Sequence, residues 1–126
     1  MANKRAHGER NQKLSEELLV GGFYFDWSIT TGFYSAIHFV EDKIFPLEVK
    51  SIHCANINEA RRVLGVKGRH QTREDLVALS IPKVHYAYKW LDDQSRNARY
   101  KTYKVNKGLA EKAKQYLTII HQECSK

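Results

Sequence analysis

The sequence predicts an all-α protein, an up-and-down four-helix bundle with one additional short helix. Apolar residues recur every three or four positions along most of the chain, which is the spacing of one face of an α-helix. Helix-stopping residues, namely Gly21-Gly22, Pro46 and Gly65, separate these periodic segments. The sequence shows no internal repeat, low-complexity tract or linker, so one domain is expected.

The first predicted helix lies in the stretch NQKLSEELLV, where three leucines occur among good helix formers before Gly21-Gly22. The second predicted helix begins near Asp26, a candidate cap, and ends at Pro46. Its apolar stripe consists of Ile29, Phe33, Ile37, Val40 and Ile44.

A short helix is predicted in NINEARRVLG, with Asn56 and Glu59 as a capping box and Gly65 as its stop. A loop, VKGRHQT, should follow. From Thr72 a long stripe predicts a third main helix that Pro82 either kinks or restarts. The fourth main helix is predicted after Asn106, its candidate cap.

Length and composition favour a folded, basic protein. The chain has 126 residues, of which 42% are hydrophobic and 28% charged, values typical of a globular domain. We expect residues 1–8 to form a basic, flexible N-terminus and residues 9–126 to form the bundle. The formal net charge of +7 favours an anionic partner such as nucleic acid, while an acidic protein partner remains an alternative.

A cytoplasmic protein without membrane contact is expected. The sequence contains no apolar run of about 20 residues and no hydrophobic secretory signal at its start. Cys54 and Cys124 are expected to be free thiols in a reducing compartment. With His53 and His121 they also offer zinc-ligand types, but adjacent His53 and Cys54 are awkward joint ligands. We therefore predict no metal site and no cofactor.

The stretch QSRNARYKTY carries the main candidate site. At about 100° per residue, Arg96, Tyr100 and Tyr103 would share one helix face, with Asn97 and Lys101 on the neighbouring strip. Arg99 lies beside the first strip, so a cationic and aromatic ridge could grip a nucleic-acid backbone and stack a base. The alternative is a solvated helix end whose tyrosines cover the edge of the bundle.

Two histidines add to this set. His70 with Arg73 is placed to meet a phosphate at the start of the third main helix, where free backbone N–H groups attract anions. The same pair could instead fix the loop. His38 lies near Glu41 and Asp42, so it is either a supporting, titratable group or a buried structural histidine.

Three segments in this order resemble the HEPN-domain family. The segment DWSITTGFYSAIHFVEDKIF is similar to the family's aromatic, histidine-bearing helix, GRHQTREDLV to its His-x-x-Arg turn, and SRNARYKTY to the Arg-rich end of its third helix. The resemblance covers about residues 10–120 and implies a helical bundle, a homodimer, and a metal-independent endoribonuclease of the toxin or defence type. An antitoxin or another protein partner is also implied.

The resemblance assigns roles to four residues. Arg96 would stabilise phosphate charge, Asn97 would orient the site and Tyr103 would support it, while Lys101 occupies the position where the family has histidine. A lysine side chain has a reference pKa of about 10.4, which suits phosphate binding or proton donation better than proton abstraction. The alternative is a non-catalytic module that binds RNA, a nucleotide or a protein.

Overall fold

The computed structural model describes residues 3–65 and 68–126. Within those ranges lie six α-helices, one short 3-10 helix and a two-stranded antiparallel hairpin. The predicted all-α class is therefore confirmed. In chain order the elements are α1 (Lys4–Gly21), α2 (Phe25–Ile44), β1 (Leu47–Val49), β2 (Ile52–Cys54), α3 (Ile57–Leu64), α4 (Arg69–Ser80), the 3-10 helix (Pro82–Val84), α5 (His85–Tyr100) and α6 (Lys107–Cys124).

Helices α1, α2, α5 and α6 form the bundle, and α2 contacts the other three. The predicted stripe explains this central position, because Ile29, Phe33, Val40 and Ile44 are all buried in the core. The same helix also buries small residues on its other sides, which allow close approach by its neighbours. Large core side chains from the partner helices are Tyr88 and Leu91 of α5 and Leu117 and Ile120 of α6.

The contact between α1 and α2 corrects the prediction of a flexible N-terminus for residues 4–8, whereas Met1 and Ala2 lie outside the described residues. Residues 4–8 are helical, and the backbone at Gly8 comes so near to Phe39 that a Cβ there would lie 2.7 Å from its ring. Ser35 donates a 2.6 Å hydrogen bond to the Gly8 carbonyl. Basic composition alone indicated a frayed start, but small residues that fit against α2 extend the helix to Lys4.

Most of the predicted helix ends and caps are confirmed. Gly22 and Gly65 end α1 and α3 with φ values of 78° and 111°, a region that favours glycine. The Asn56 side chain accepts the Glu59 N–H, and the Asn106 side chain accepts the Leu109 N–H. The predicted Asp26 cap is wrong, because α2 begins at Phe25 and Asp26 lies inside its first turn.

The third main helix is divided in two. Helix α4 ends at Ser80, and the chain restarts at Pro82 before entering α5, as one of the two interpretations of this proline predicted. Helix α4 also begins earlier than expected, since residues 69–72 of the predicted loop are helical, whereas Val66 and Lys67 lie outside the described residues. The sequence analysis missed the hairpin, whose turn places Lys50 and Ser51 at positive φ. None of the helices within the described ranges is long and apolar enough to cross a membrane.

Candidate nucleic-acid interface

The C-terminal end of α5 presents most of the predicted site. The helix ends at Tyr100 and Lys101 is its exposed C-cap. The Asn97 carbonyl accepts the backbone N–H groups of Lys101 and Thr102, both at 3.0 Å, which closes the last turn. Tyr103 therefore lies beyond the helix, so the prediction that it shares a helical face with Arg96 and Tyr100 is wrong.

Arg96 is oriented by a carboxylate one turn earlier in α5. Its Nε donates a 2.8 Å hydrogen bond to Oδ1 of Asp92, whose side chain is buried. This bond and the negative charge of Asp92 raise the pKa of Arg96. Half of the Arg96 side chain stays exposed, so the guanidinium has donors left for a ligand. The i to i+4 spacing of Asp92 and Arg96 is a signal that the sequence analysis did not use.

Arg99 connects α5 to α2. Its guanidinium donates to the Ser95 carbonyl and side chain, and Nη1 donates a 3.3 Å hydrogen bond to the hydroxyl of Tyr34. The guanidinium carbon also lies 5.0 Å from the centre of the Tyr100 ring, within cation–π range. Arg99, Tyr34 and Tyr100 therefore form a cationic and aromatic cluster, of which Tyr34 was not among the predicted site residues.

His70, on the first turn of α4, lies in the electrostatic field of these arginines. Its side chain is mostly open to solvent, yet partial burial is the main cause that lowers its pKa from 6.5. The positive charges of Arg73, Arg96 and Arg99 lower the pKa further, while Asp92 opposes them. His70 thus lies within electrostatic reach of Arg96 and Arg99 at the end of α5, and its pKa is lowered there.

Arg73 is directed into the protein, away from the candidate interface. It is 7% exposed, and its Nε donates a 2.7 Å hydrogen bond to Oε2 of Glu41 in α2. Lys4 binds the other Glu41 oxygen at 3.0 Å. Burial alone would raise the pKa of Glu41, but Arg73 and Lys4 lower it. Arg73 therefore anchors the start of α4 to α2, which holds His70 in place.

His38 lies half-buried on α2, where it stacks on His7 of α1 with ring centres 4.1 Å apart. Burial and the positive surroundings of His7, Lys4 and Arg73 lower the pKa of His38, and Glu41 partly offsets them. The neighbours of His38 belong to the contact between α1 and α2. This position favours the interpretation of His38 as a structural histidine over that of a titratable group in the candidate site.

The cysteine and histidine side chains that were considered as zinc ligands lie on different elements, β2 and α6. Cys54 is buried on β2 beside exposed His53, and burial raises the pKa of the Cys124 thiol on α6 to about 11. His121 stacks on Phe39 at 4.3 Å. Over the described ranges, no group of three or more histidine, cysteine, aspartate or glutamate side chains is placed to hold a metal ion.

A cleft next to Arg99 contains residues that the sequence analysis did not assign to the site. It has a volume of about 330 Å³ and lies between the start of α2 and the end of α5. Trp27 and Tyr103 line it and are 52% and 70% exposed, which is a large exposed area for two aromatic side chains. Trp27 lies outside the apolar stripe of α2. A large aromatic residue outside the stripe was the feature of the sequence that could have indicated its exposure.

Comparison of the chain with protein-family models, with curated proteins and with solved structures finds no match. The site combines the guanidinium groups of Arg96 and Arg99, an imidazole with a lowered pKa at His70, exposed aromatic rings and the exposed side chain of Lys101. Such a set can bind phosphate, stack bases and move a proton.

Proposed function

We propose that the protein binds RNA at the C-terminal end of α5 and cleaves it as a metal-independent endoribonuclease. The observation that carries the proposal is the position of His70 in the field of Arg96 and Arg99, with its pKa lowered. An imidazole with a lowered pKa, in the field of two guanidinium groups that can hold a phosphate, supplies a base and charge stabilisation for attack by an RNA 2′-hydroxyl on the neighbouring phosphate.

Each step of this reaction uses groups of the chain and the RNA alone. His70 takes the proton from the 2′-hydroxyl while the 2′-oxygen forms a bond to phosphorus. The bond from phosphorus to the 5′-oxygen then breaks, and the ammonium of Lys101 protonates that oxygen. The products are a 2′,3′-cyclic phosphate and a free 5′-hydroxyl, and the proton on His70 returns to solvent or to Lys101. Arg96 and Arg99 stabilise the charge that builds up on the phosphate oxygens.

This assignment changes the roles that the HEPN resemblance implies. Lys101 takes the acid role, and His70 supplies the imidazole that the α5 segment lacks. Asn97 closes the last turn of α5 and so positions Lys101, while Tyr103 flanks the adjoining cleft. The homodimer, in which two such helix ends face one cleft, and a protein partner of the antitoxin type remain part of the proposal.

The test is cleavage of end-labelled RNA in excess chelator by the wild type, His70→Gln and Lys101→Ala. Because Arg96→Ala would leave buried Asp92 without a partner, Arg96 is tested as the double variant Asp92→Asn/Arg96→Ala. Arg10→Ala, an exposed change on α1, is the matched control. We expect 2′,3′-cyclic phosphate ends from the wild type and the control, and a loss of about 100-fold or more in His70→Gln.

A non-catalytic RNA-binding module is the second candidate. The exposed aromatic rings beside Arg99 favour it, since stacking and phosphate contacts are sufficient for binding. Intact RNA at saturating wild-type protein, together with binding that weakens as salt increases, would support the module and contradict the nuclease. RNA binding that is unchanged in the Asp92→Asn/Arg96→Ala and Arg99→Ala variants would contradict both.

A further inference from the structure

The cleft beside Arg99 is lined by two aromatic side chains, a carboxylate and a guanidinium group. Its volume of about 330 Å³ lies at the lower end of the range for small-molecule pockets, about 300–1,000 Å³. It is lined by Asp26, Trp27, Thr30, Ala98, Arg99 and Tyr103. The cleft adjoins the proposed phosphate site because Arg99 belongs to both.

The side walls offer stacking surfaces. Trp27 projects from the first turns of α2, and Tyr103 follows the end of α5, so the two rings come from different elements. Both remain largely exposed. Aromatic rings that stay open to solvent next to a cationic group are the usual platform for bases of single-stranded nucleic acid.

Asp26 gives the cleft a polar group that can discriminate between bases. Within residues 3–65 and 68–126, its carboxylate forms no hydrogen bond or ion pair with another side chain. An unpaired carboxylate in a pocket with Arg99 at its edge has two acceptor oxygens for a ligand. Thr30, which is 1% exposed, closes the inner side of the cleft.

We propose that this cleft binds a guanine base of the RNA, an inference that rests on the proposed RNA function. Guanine presents two adjacent donors, N1–H and the N2 amino group, and one carboxylate can accept both. Adenine presents a donor beside an acceptor on the corresponding edge, and uracil presents one donor between two carbonyl oxygens, so both leave a carboxylate oxygen facing an acceptor. Stacking between Trp27 and Tyr103 contributes to the binding affinity, and hydrogen bonds to the Asp26 carboxylate determine which base is preferred.

The first experiment measures binding of a labelled single-stranded RNA in which one position carries guanine, inosine or adenine and all 2′-hydroxyls are methylated, so that the proposed reaction cannot cleave it. A bidentate contact to a base discriminates by about 5- to 150-fold, so we expect guanine to bind tighter than adenine by a factor in that range. Inosine lacks only the N2 amino group and should fall between the two. Asp26→Asn should remove the preference without weakening binding of the adenine RNA, whereas Asp42→Asn, an exposed change on the same helix, should leave it intact.

A second measurement separates this inference from the RNA proposal. Trp27 fluorescence is followed in a Trp90→Phe background during titration with guanosine or adenosine 5′-monophosphate. Saturable quenching by the guanosine compound alone, in a protein that binds no RNA, would overturn the RNA function and retain the guanine cleft. RNA binding with equal affinity for guanine, inosine and adenine would overturn the cleft and retain the RNA function. No response to either nucleotide and no RNA binding would overturn both.

Discussion

The buried ion pair between Arg73 and Glu41 should dominate the stability of the N-terminal part of α4. Both side chains are nearly excluded from solvent, with exposed fractions of 8% and 6%, and Nε lies 2.7 Å from Oε2. Glu41→Gln would leave the guanidinium buried without an opposing charge. Nη1 of Arg73 already has no hydrogen-bond partner within the described part of the chain. We therefore expect the full cost of breaking a buried pair, about 3–5 kcal/mol.

Lys4 cannot compensate for this loss. It binds the other Glu41 oxygen at 3.0 Å, but its side chain is 38% exposed, so solvent screens the interaction. Lys4→Met should cost only about 0–1 kcal/mol. In urea unfolding followed by helical circular dichroism at pH 7, Glu41→Gln should lower the free energy of unfolding and leave its urea dependence unchanged. The corresponding drop in melting temperature is about 10–20 °C.

Two further variants test whether an uncompensated buried charge causes the loss of stability in Glu41→Gln. The apolar double variant Glu41→Leu/Arg73→Met should lose much less stability than Glu41→Gln, because no uncompensated charge remains buried and Lys4 is open to solvent. Asp42→Asn, on an exposed neighbouring position, should change stability by no more than about 0.5 kcal/mol. A loss below about 1 kcal/mol in Glu41→Gln, or a double variant as unstable as the single one, would refute the argument.

The pKa of Glu41 gives the same pair a pH dependence. Since Arg73 and Lys4 lower this pKa below 4.5, the stabilisation is present above pH 4.5 and is lost as pH falls through the lower, folded-state value. The wild type should therefore destabilise more steeply than Glu41→Gln on acidification below pH 4.5.

Three other outcomes can be measured on the same protein. Gly8→Ala should destabilise it by about 1–3 kcal/mol, because the new Cβ would meet the Phe39 ring at 2.7 Å. Asn106→Ala should cost about 0.5–2 kcal/mol in urea unfolding, because the cap of α6 is lost. The lowered pKa of His38 means that folding favours its neutral form, so the stability it contributes above pH 6.5 should decline as pH falls through the folded-state value. Comparing urea unfolding of the wild type and His38→Gln at pH 7.5 and 5.5 should show the weaker pH dependence in the variant.

Matched controls accompany these measurements. Gly21→Ala changes a helical glycine with nothing within 4 Å of the new Cβ, so it should be neutral or slightly stabilising. His85→Gln offers a half-buried histidine away from the contact between α1 and α2. Equal losses in Gly8→Ala and Gly21→Ala, a stable Asn106→Ala, or identical pH dependence in the wild type and His38→Gln would each contradict the corresponding prediction.

Features set by neighbouring residues were accessible from the sequence. The stripe of α2, the stops at Gly22 and Gly65 and the caps at Asn56 and Asn106 all depend on residues within one or two helical turns. The hairpin was not predicted, because two strands of three residues each are too short to show an alternating pattern.

The candidate site also has one part that neighbouring residues predict and another that depends on distant contacts. The chemistry of the α5 end was accessible because the residues are adjacent in the chain. The inward direction of Arg73 was not, since its partner Glu41 is 32 residues away and no local pattern links them. The effect of Arg96 and Arg99 on His70 likewise depends on how α4 packs beside α5, which no local pattern predicts.

The fit between α1 and α2 has a consequence for the substitutions that the protein can accept. Ser15 and Ser28 each donate a hydrogen bond to the other's carbonyl, and a Cβ at Gly32 would meet the Ser15 oxygen at 3.2 Å. The seam between the two helices therefore selects residues by size more than by hydrophobicity. At these positions a leucine should be more harmful than an alanine despite its greater affinity for the interior. Variation at Ser15, Ser28 and Gly32 should therefore stay among glycine, alanine and serine, whereas position 8 should keep glycine because of the Phe39 ring. The outer face of α1 can change freely.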